Sequence, residues 1–303
     1  MDNATQPQST HHFNRSWWIG VLLLSLPPLF WAGNFIVGRS VRFEIPPLQL
    51  SFYRWVLASL LFLPFSIKVL RREWPLYLKH KYLIILASVT GISAFNTLIY
   101  WGLQSTKANN ALILNAFIPL LISLLGVFVA GLKLRAKQWL GLVVSFVGVL
   151  IIIARGDPAF ISSMSINQGD AIVFVAMICW AIYTLSLKSM PKEINRLGLM
   201  SIQMLVGLVF LAPFFANELV HGAPAHWTMH AILSLVYVGI VPSVIAYLLY
   251  TQCIERLGPT KAGMSINLIP VFGVVLSTLF LGETVHAYQA IGMVCIFIGI
   301  ALN

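Results

Sequence analysis

The sequence predicts an all-α integral membrane protein of ten transmembrane helices, arranged as two inverted five-helix repeats around a central cavity. Three observations carry this prediction. The 303 residues are 59% hydrophobic and 9% charged, with a mean hydropathy of +0.87, whereas soluble domains are about a quarter charged. Apolar runs long enough for a hydrocarbon core of roughly 30 Å recur along the whole length, without the ten-residue alternation of an outer-membrane barrel, so the spanning elements are helices. The chain also repeats itself: Pro119 to Ile151, laid over Pro270 to Leu302, match at nine of thirty-three positions without a gap. Leu, Val and Gly match easily in apolar segments, so the informative pairs are Pro119 with Pro270 and Gln138 with Gln289. Trp31, Ala32 and Ser40 align in the same way with Trp180, Ala181 and Ser189.

Residues 1–16 form a polar tail expected to be disordered and cytoplasmic. The apolar run that follows from Trp17 lacks the small-residue cleavage site of a removable signal peptide. The first repeat, 17–155, has spans expected at 17–37, 47–66, 81–103, 108–130 and 136–154. A loop-like linker, 156–169, lies within the stretch GDPAFISSMSINQGD. The second repeat, 170–303, has spans expected at 170–190, 198–216, 230–252, 262–281 and 287–302. Alternate loops differ in basic charge: one set holds fourteen Lys and Arg, and the other only Arg39, Arg42, Lys107 and Arg155. The positive-inside rule then puts both termini in the cytoplasm and the linker outside. Five spans per half is an odd number, so the second half enters the bilayer upside down relative to the first.

The net charge of +10 would suggest nucleic acid as partner in a soluble protein. Here the basic residues lie in short loops between apolar runs, and no nucleic-acid partner is expected. Cys179, Cys253 and Cys295 fall inside apolar segments without metal-ligand spacing. His226 and His230 are four apart but flank a loop without a third ligand, and are expected to be solvated. Phosphate-binding glycine loops, Ser-His-Asp patterns and paired carboxylates do not occur, so neither a cofactor nor an enzyme activity is expected.

Four stretches carry a family resemblance: LFWAGNF at 29–35, CWAIYTLSLK at 179–188, NLIPVFGVVLSTLFLGE at 267–283 and QAIGMVCIFIG at 289–299. The chain resembles the drug/metabolite transporter superfamily in its ten-helix EamA-type branch, and more loosely the bacterial exporters of aromatic amino acids. The resemblance implies a bacterial inner-membrane protein whose helices one, three, four, six, eight and nine line a central cavity, with helices five and ten packed outside. One departure is visible, since the Gly-Glu that ends the ninth span is Gly131 and Leu132 in the first half.

Polar groups inside spans are the functional candidates, because hydrocarbon offers them no partner. The expected substrate-binding set is Asn34 in helix one; Asn96, Tyr100 and Trp101 in helix three; Asn110 and Asn115 in helix four; Trp180 and Tyr183 in helix six; Ser243, Tyr247 and Tyr250 in helix eight; and Ser265 with Asn267 in helix nine. Each has a plainer alternative, as a bridge between helices or a member of the interfacial aromatic belt. As a group, amides and aromatic rings suit a neutral or zwitterionic ligand, such as an aromatic amino acid, held by hydrogen bonds and ring contacts. Arg54, the clearest charge within a span, either meets a substrate carboxylate or snorkels to a loop; the second reading is favoured and Arg54 is left outside the set. Glu283 is taken as a helix-ending contact. Pro119 and Pro270 are expected to kink helices four and nine at matching positions and to serve as hinges. Gly141, Ser145 and Gly148, answered by Gly292 and Gly299, signal close packing of helices five and ten.

The expected function is therefore secondary transport, in the export direction, of small metabolites such as aromatic and other neutral amino acids by alternating access. A monomer in the lipid bilayer is compatible with the sequence. A nucleotide-sugar carrier would favour basic cavity residues, and a multidrug carrier a midspan Glu in the first helix. A membrane-embedded, lipid-handling enzyme would need a cluster of His, Asp, Glu or Ser at a membrane boundary. The sequence shows none of these features.

Overall fold

The computed structural model describes residues 10–106, 111, 114–129, 131–157, 159, 167–281 and 284–303, and every regular element among them is helical. Among the described residues eight helices are long and apolar enough to cross a membrane: Trp18–Gly38, Pro47–Arg72, Lys81–Ser105, Ala136–Ile153, Gln168–Ser189, Arg196–His221, Met229–Leu257 and Pro259–Leu276. Two shorter apolar helices, Ile118–Phe128 and Ala287–Ala301, stand where the fourth and tenth spans are expected. The 15 residues of the latter rise only about 22 Å, less than the hydrocarbon thickness. Asn110, Lys107 and Glu283 lie outside the described residues.

The first helix, α1 (Thr10–Ser40), starts inside the tail expected to be disordered, because nothing between Thr10 and Trp17 breaks a helix. It is followed by α2 (Pro47–Arg72), the short α3 (Trp74–Lys79), α4 (Lys81–Ala87) and α5 (Phe95–Ser105). A π-helical turn, Ser88–Ala94, joins α4 to α5 in one continuous span. Next come α6 (Ile118–Phe128) and α7 (Ala136–Ile153). The second part of the chain supplies α8 (Gln168–Ser189), α9 (Arg196–His221), α10 (Met229–Ile240) and α11 (Ala246–Leu257), the last two joined by a second π turn, Val241–Ile245. Gly258, at φ 90° in the region that only glycine adopts freely, turns the chain into α12 (Pro259–Ser265). Then α13 (Leu268–Leu281) and α14 (Ala287–Ala301) complete the chain.

The two prolines expected to kink helices do something different. Residues 116–117 and 266–267 are turns, and Pro119 and Pro270 fall in the first turn of the helices that restart after them. There the missing N–H costs nothing, because the first turn has no acceptor for it. The breaks are closed by short-range bonds, Phe117 N to the Leu114 oxygen at 3.0 Å and Asn267 N to the Met264 oxygen at 3.1 Å. True mid-helix prolines occur elsewhere: Pro27 and Pro28 within α1, and, at the same position of two helices of equal length, Pro64 in α2 and Pro213 in α9, each of 26 residues.

Packing pairs elements across the two parts of the chain. Antiparallel α7 and α14 approach to backbone contact: Gly141 lies against Gly299 and Gly148 against Gly292, and a Cβ at Gly148 would meet the Gly292 carbonyl oxygen at 2.6 Å. Between α2 and α9, Phe52 stacks on Phe215 with centroids 4.0 Å apart, and the hydroxyls of Ser66 and Ser201 are hydrogen-bonded. Each of these helices ends in a carboxylate that caps the start of the other. Glu73 accepts from the Asn195 N–H at 2.9 Å, while Glu218 accepts from the N–H groups of Gln49 at 2.8 Å and Leu48 at 3.4 Å. A carboxylate at a helix N-terminus satisfies orphan donors and meets the positive end of the dipole.

Candidate functional site

The centre of the fold is an arginine. Arg54 is fully buried on the face of α2 that also buries Ser51, Trp55 and Ala58. Its Nε donates to the Ser243 hydroxyl at 2.8 Å, and its Nη1 to Asn96 Oδ1 at 2.9 Å and to the Tyr100 oxygen. A longer contact reaches Asn34 Oδ1 at 3.4 Å, and the Tyr100 hydroxyl donates to that same oxygen at 3.0 Å. Since Nη1 has two hydrogens, the natural assignment is one to Asn96 and one to Tyr100, with Tyr100 relaying to Asn34. The guanidinium also lies 5.2 Å from the Trp55 ring centroid and 5.8 Å from that of Tyr100.

Helical spacing explains how α5 contributes twice: Asn96 and Tyr100 are four apart and share a face. The two π turns account for the next layer. In a π turn the bonding register slips, so carbonyl oxygens are freed for other donors. Gly91 in the first turn accepts from the Tyr247 hydroxyl at 2.8 Å, and Pro242 in the second accepts from Trp31 Nε1 at 3.1 Å. Each turn thus receives a side chain from the other part of the chain. Tyr247 also accepts from Asn96 Nδ2 at 3.0 Å, which closes the network.

Beside this network lies an aromatic cluster. Trp31 meets Trp180 edge-on with centroids 5.0 Å apart, and Trp180 lies 4.5 Å from Phe95, 5.2 Å from Tyr183, 5.4 Å from Tyr247 and 5.3 Å from Tyr250. Network and cluster enclose a cavity of about 20 Å³, lined by Trp31, Asn34, Phe95, Asn96, Asn115 and Trp180 with Ile99, Ile118, Ile266 and Ile269. That is space for roughly one water molecule.

The expected residues divide accordingly. Asn34, Asn96, Asn115 and Trp180 line the cavity, while Tyr100, Ser243 and Tyr247 belong to the network behind its wall. Tyr183 and Tyr250 are buried behind Trp180, where the Tyr250 hydroxyl pairs with Thr184 at 3.1 Å. Ser265 turns back to its own helix, donating to the Ala262 oxygen at 2.7 Å, and Asn267 reaches Ser145 of α7 at 2.9 Å. Ile266 and Ile269 face the cavity in their place.

Trp101 points elsewhere. It is 54% exposed and lines a separate groove of about 750 Å³ between α2, α5 and α9, with Leu98, Phe210 and Phe214. Arg54, read from the sequence as snorkelling, is instead the hub. Trp31 was visible as the repeat partner of Trp180, whereas neither Phe95 nor the π turns carried a signal.

Both histidines are exposed, as expected, and one of them is also engaged. Glu44 accepts from the Thr228 hydroxyl and meets His230 Nδ1 at 2.6 Å, while Ser40 lies 3.3 Å from Nε2 of the same ring. These bonds, that from Thr228 foremost and then that from His230, hold the Glu44 carboxyl below its ordinary value of 4.5. Among the described residues no three His, Cys, Asp or Glu come together as a metal site.

The EamA-like transporter family model matches residues 18–154 and again 167–303. An uncharacterized transporter of Archaeoglobus fulgidus is 30% identical over 293 residues, covering 93% of this chain and 96% of its own length. A protein of Escherichia coli strain K12 named as a probable amino-acid metabolite efflux pump is 26% identical over 291 residues, 94% of either chain. A protein of the same name in Salmonella typhimurium is 27% identical over 288 residues, 93% of either chain. One solved crystal structure shares the fold with a TM-score of 0.72 at 18% identity, over 95% of this chain and 96% of the other.

Proposed function

Because the chain belongs to the EamA-like transporter family, we propose that it is a secondary transporter that exports small neutral or zwitterionic metabolites, aromatic and other neutral amino acids among them, by alternating access through the central cavity. The observation that carries this reading is the cavity itself: three amides and three aromatic rings from both parts of the chain line one buried point, and the Arg54 guanidinium is hydrogen-bonded to two of those amides from behind that wall. Polar groups in hydrocarbon are expensive and mark a substrate path when they converge. The names of the two efflux pumps support the choice of amino-acid metabolites.

Ten spans in two inverted repeats are part of the proposal, and reciprocal contacts support them. Gly141 pairs with Gly299 while Gly148 pairs with Gly292; Ser66 pairs with Ser201 while Phe52 pairs with Phe215. Such swapped pairs are what a two-fold relation between halves produces. The broken helices before Pro119 and Pro270 serve as the hinges, and the protein acts as a monomer in a bacterial inner membrane with both termini cytoplasmic.

The test is counterflow of labelled phenylalanine, threonine, uridine and a cationic dye in liposomes holding the purified protein. Amino-acid counterflow is expected, and Asn96→Ala should weaken it about tenfold, since it removes one acceptor from Arg54 and the donor to the Tyr247 oxygen. Trp101→Ala, which alters only the separate groove, should leave it within about twofold. Movement of uridine or dye alone would reassign the substrate, and movement of none of the four by folded protein would defeat the proposal.

A further inference from the structure

We infer that Arg54 is the anchor for an acidic group, so that the central cavity, closed here to about 20 Å³, takes carboxylates with an apolar body when it opens and does not require the amino group. The inference rests on the transport reading for the purpose of the site and goes beyond it in the chemistry recognised.

The first observation is charge. Arg54 is fully buried in a span, and none of the carboxylates among the described residues pairs with it. Five of those carboxylates are engaged elsewhere: Glu44 holds Thr228, Glu73 caps α9, Glu218 caps α2, Asp170 bonds Thr106, and Glu255 pairs with Arg196; the other two, Asp157 and Glu193, are exposed in loops. Neutral oxygens of Ser243, Asn96 and Tyr100 solvate the guanidinium but leave its charge uncancelled. A lone positive charge in a low-dielectric interior is costly, and an anion beside it recovers the cost.

The second observation is an unused donor. Arg54 Nη2 is buried and has no hydrogen-bond partner, although Nε and Nη1 are both engaged. Buried arginine N–H groups without acceptors are rare in folded proteins. Nη2 carries two hydrogens, and an ionised carboxylate is the strongest acceptor they can meet.

The third observation is location. Arg54 stands one layer behind the cavity: Asn96, which accepts from Nη1, and Asn34, 3.4 Å from it, both form part of the cavity wall. The Asn34 oxygen is committed to Tyr100 and Arg54, so the group this residue offers to the cavity is its Nδ2 donor. Around these donors the wall is aromatic and aliphatic, from Trp31, Phe95, Trp180 and four isoleucines, and no acidic side chain among the described residues lines it. An ammonium group would find no counter-charge there. The site therefore reads the acid and the apolar body of a ligand.

The test uses the purified full-length chain in detergent with matched compounds: phenylalanine against phenylalaninamide, and 3-phenylpropanoate against 3-phenylpropanamide. Binding is read by thermal shift and by quenching of tryptophan fluorescence, since Trp31 and Trp180 stand in the cavity wall. Each acid is expected to bind at least tenfold more tightly than its amide, and 3-phenylpropanoate within a few-fold of phenylalanine. Arg54→Gln should reduce the acid preference to twofold or less, and Arg54→Lys should retain part of it. Amides that bind as tightly as acids in the wild type, or an absence of binding by either acid, would overturn the inference. If Arg54→Gln does not fold, the wild-type comparison decides by itself. Acid-selective binding without flux in liposomes would defeat the transport reading and leave this one standing; flux without acid selectivity would do the reverse.

Discussion

At the scale of single residues, the site depends on Tyr100 as a relay between Arg54 and Asn34. Replacing it with Phe keeps the ring but leaves Asn34 only its 3.4 Å contact with the guanidinium. Tyr100→Phe should cost about 1–2 kcal/mol in denaturant unfolding and weaken counterflow several-fold. The sequence disclosed the amides at the cavity, because an Asn inside an apolar run has few other uses. It grouped Trp101 with Tyr100, but adjacent helical residues point about 100° apart, so that Tyr100 turns to Arg54 while Trp101 lines the separate groove. Arg54 was undervalued because a snorkelling and a buried arginine look alike in one dimension. What separates them is the set of partners, and only the fold brings Ser243, Asn96 and Tyr100 to Arg54.

At the scale of elements, the glycine pairs of α7 and α14 were legible from their seven-residue spacing, and the structure brings them into backbone contact. Gly148→Leu should force these helices apart, at a cost of about 1–3 kcal/mol in thermal unfolding, while acid binding at the cavity, which neither helix lines, persists. The π turns were not legible, since a slip in bonding register depends on what the freed carbonyls can meet in three dimensions. The link between Glu44 and the start of α10 gives a pH dependence with a defined sign. A carboxyl whose value is lowered by folding, here through Thr228 and then His230, contributes its stability above 4.5 and loses it as pH falls through the lowered value. Thermal stability measured from pH 7 downward should decline there in the wild type, and Glu44→Gln should lose that component of the decline.

At the scale of the whole molecule, composition alone established a helical membrane protein, and the repeat of Trp31 with Trp180 anticipated a contact at its centre. The number of spans was less accessible, because the helix from Ala287 is shorter than a bilayer. Most of the packing joins the first part of the chain to the second, so neither should be stable alone. A fragment of residues 1–157 expressed by itself should be degraded, and co-expression of 158–303 should restore both its level and counterflow, as immunoblots and liposomes would show. The reciprocal carboxylate caps give this dependence a timetable. The N–H of Gln49 and the Glu218 that satisfies it are 169 positions apart, which a ribosome covers in roughly ten to thirty seconds. Throughout that interval the nascent first half stands in the bilayer with a helix end open and its arginine missing Ser243. Its survival in biosynthesis is then a race between elongation and quality control, run before there is any transporter to measure.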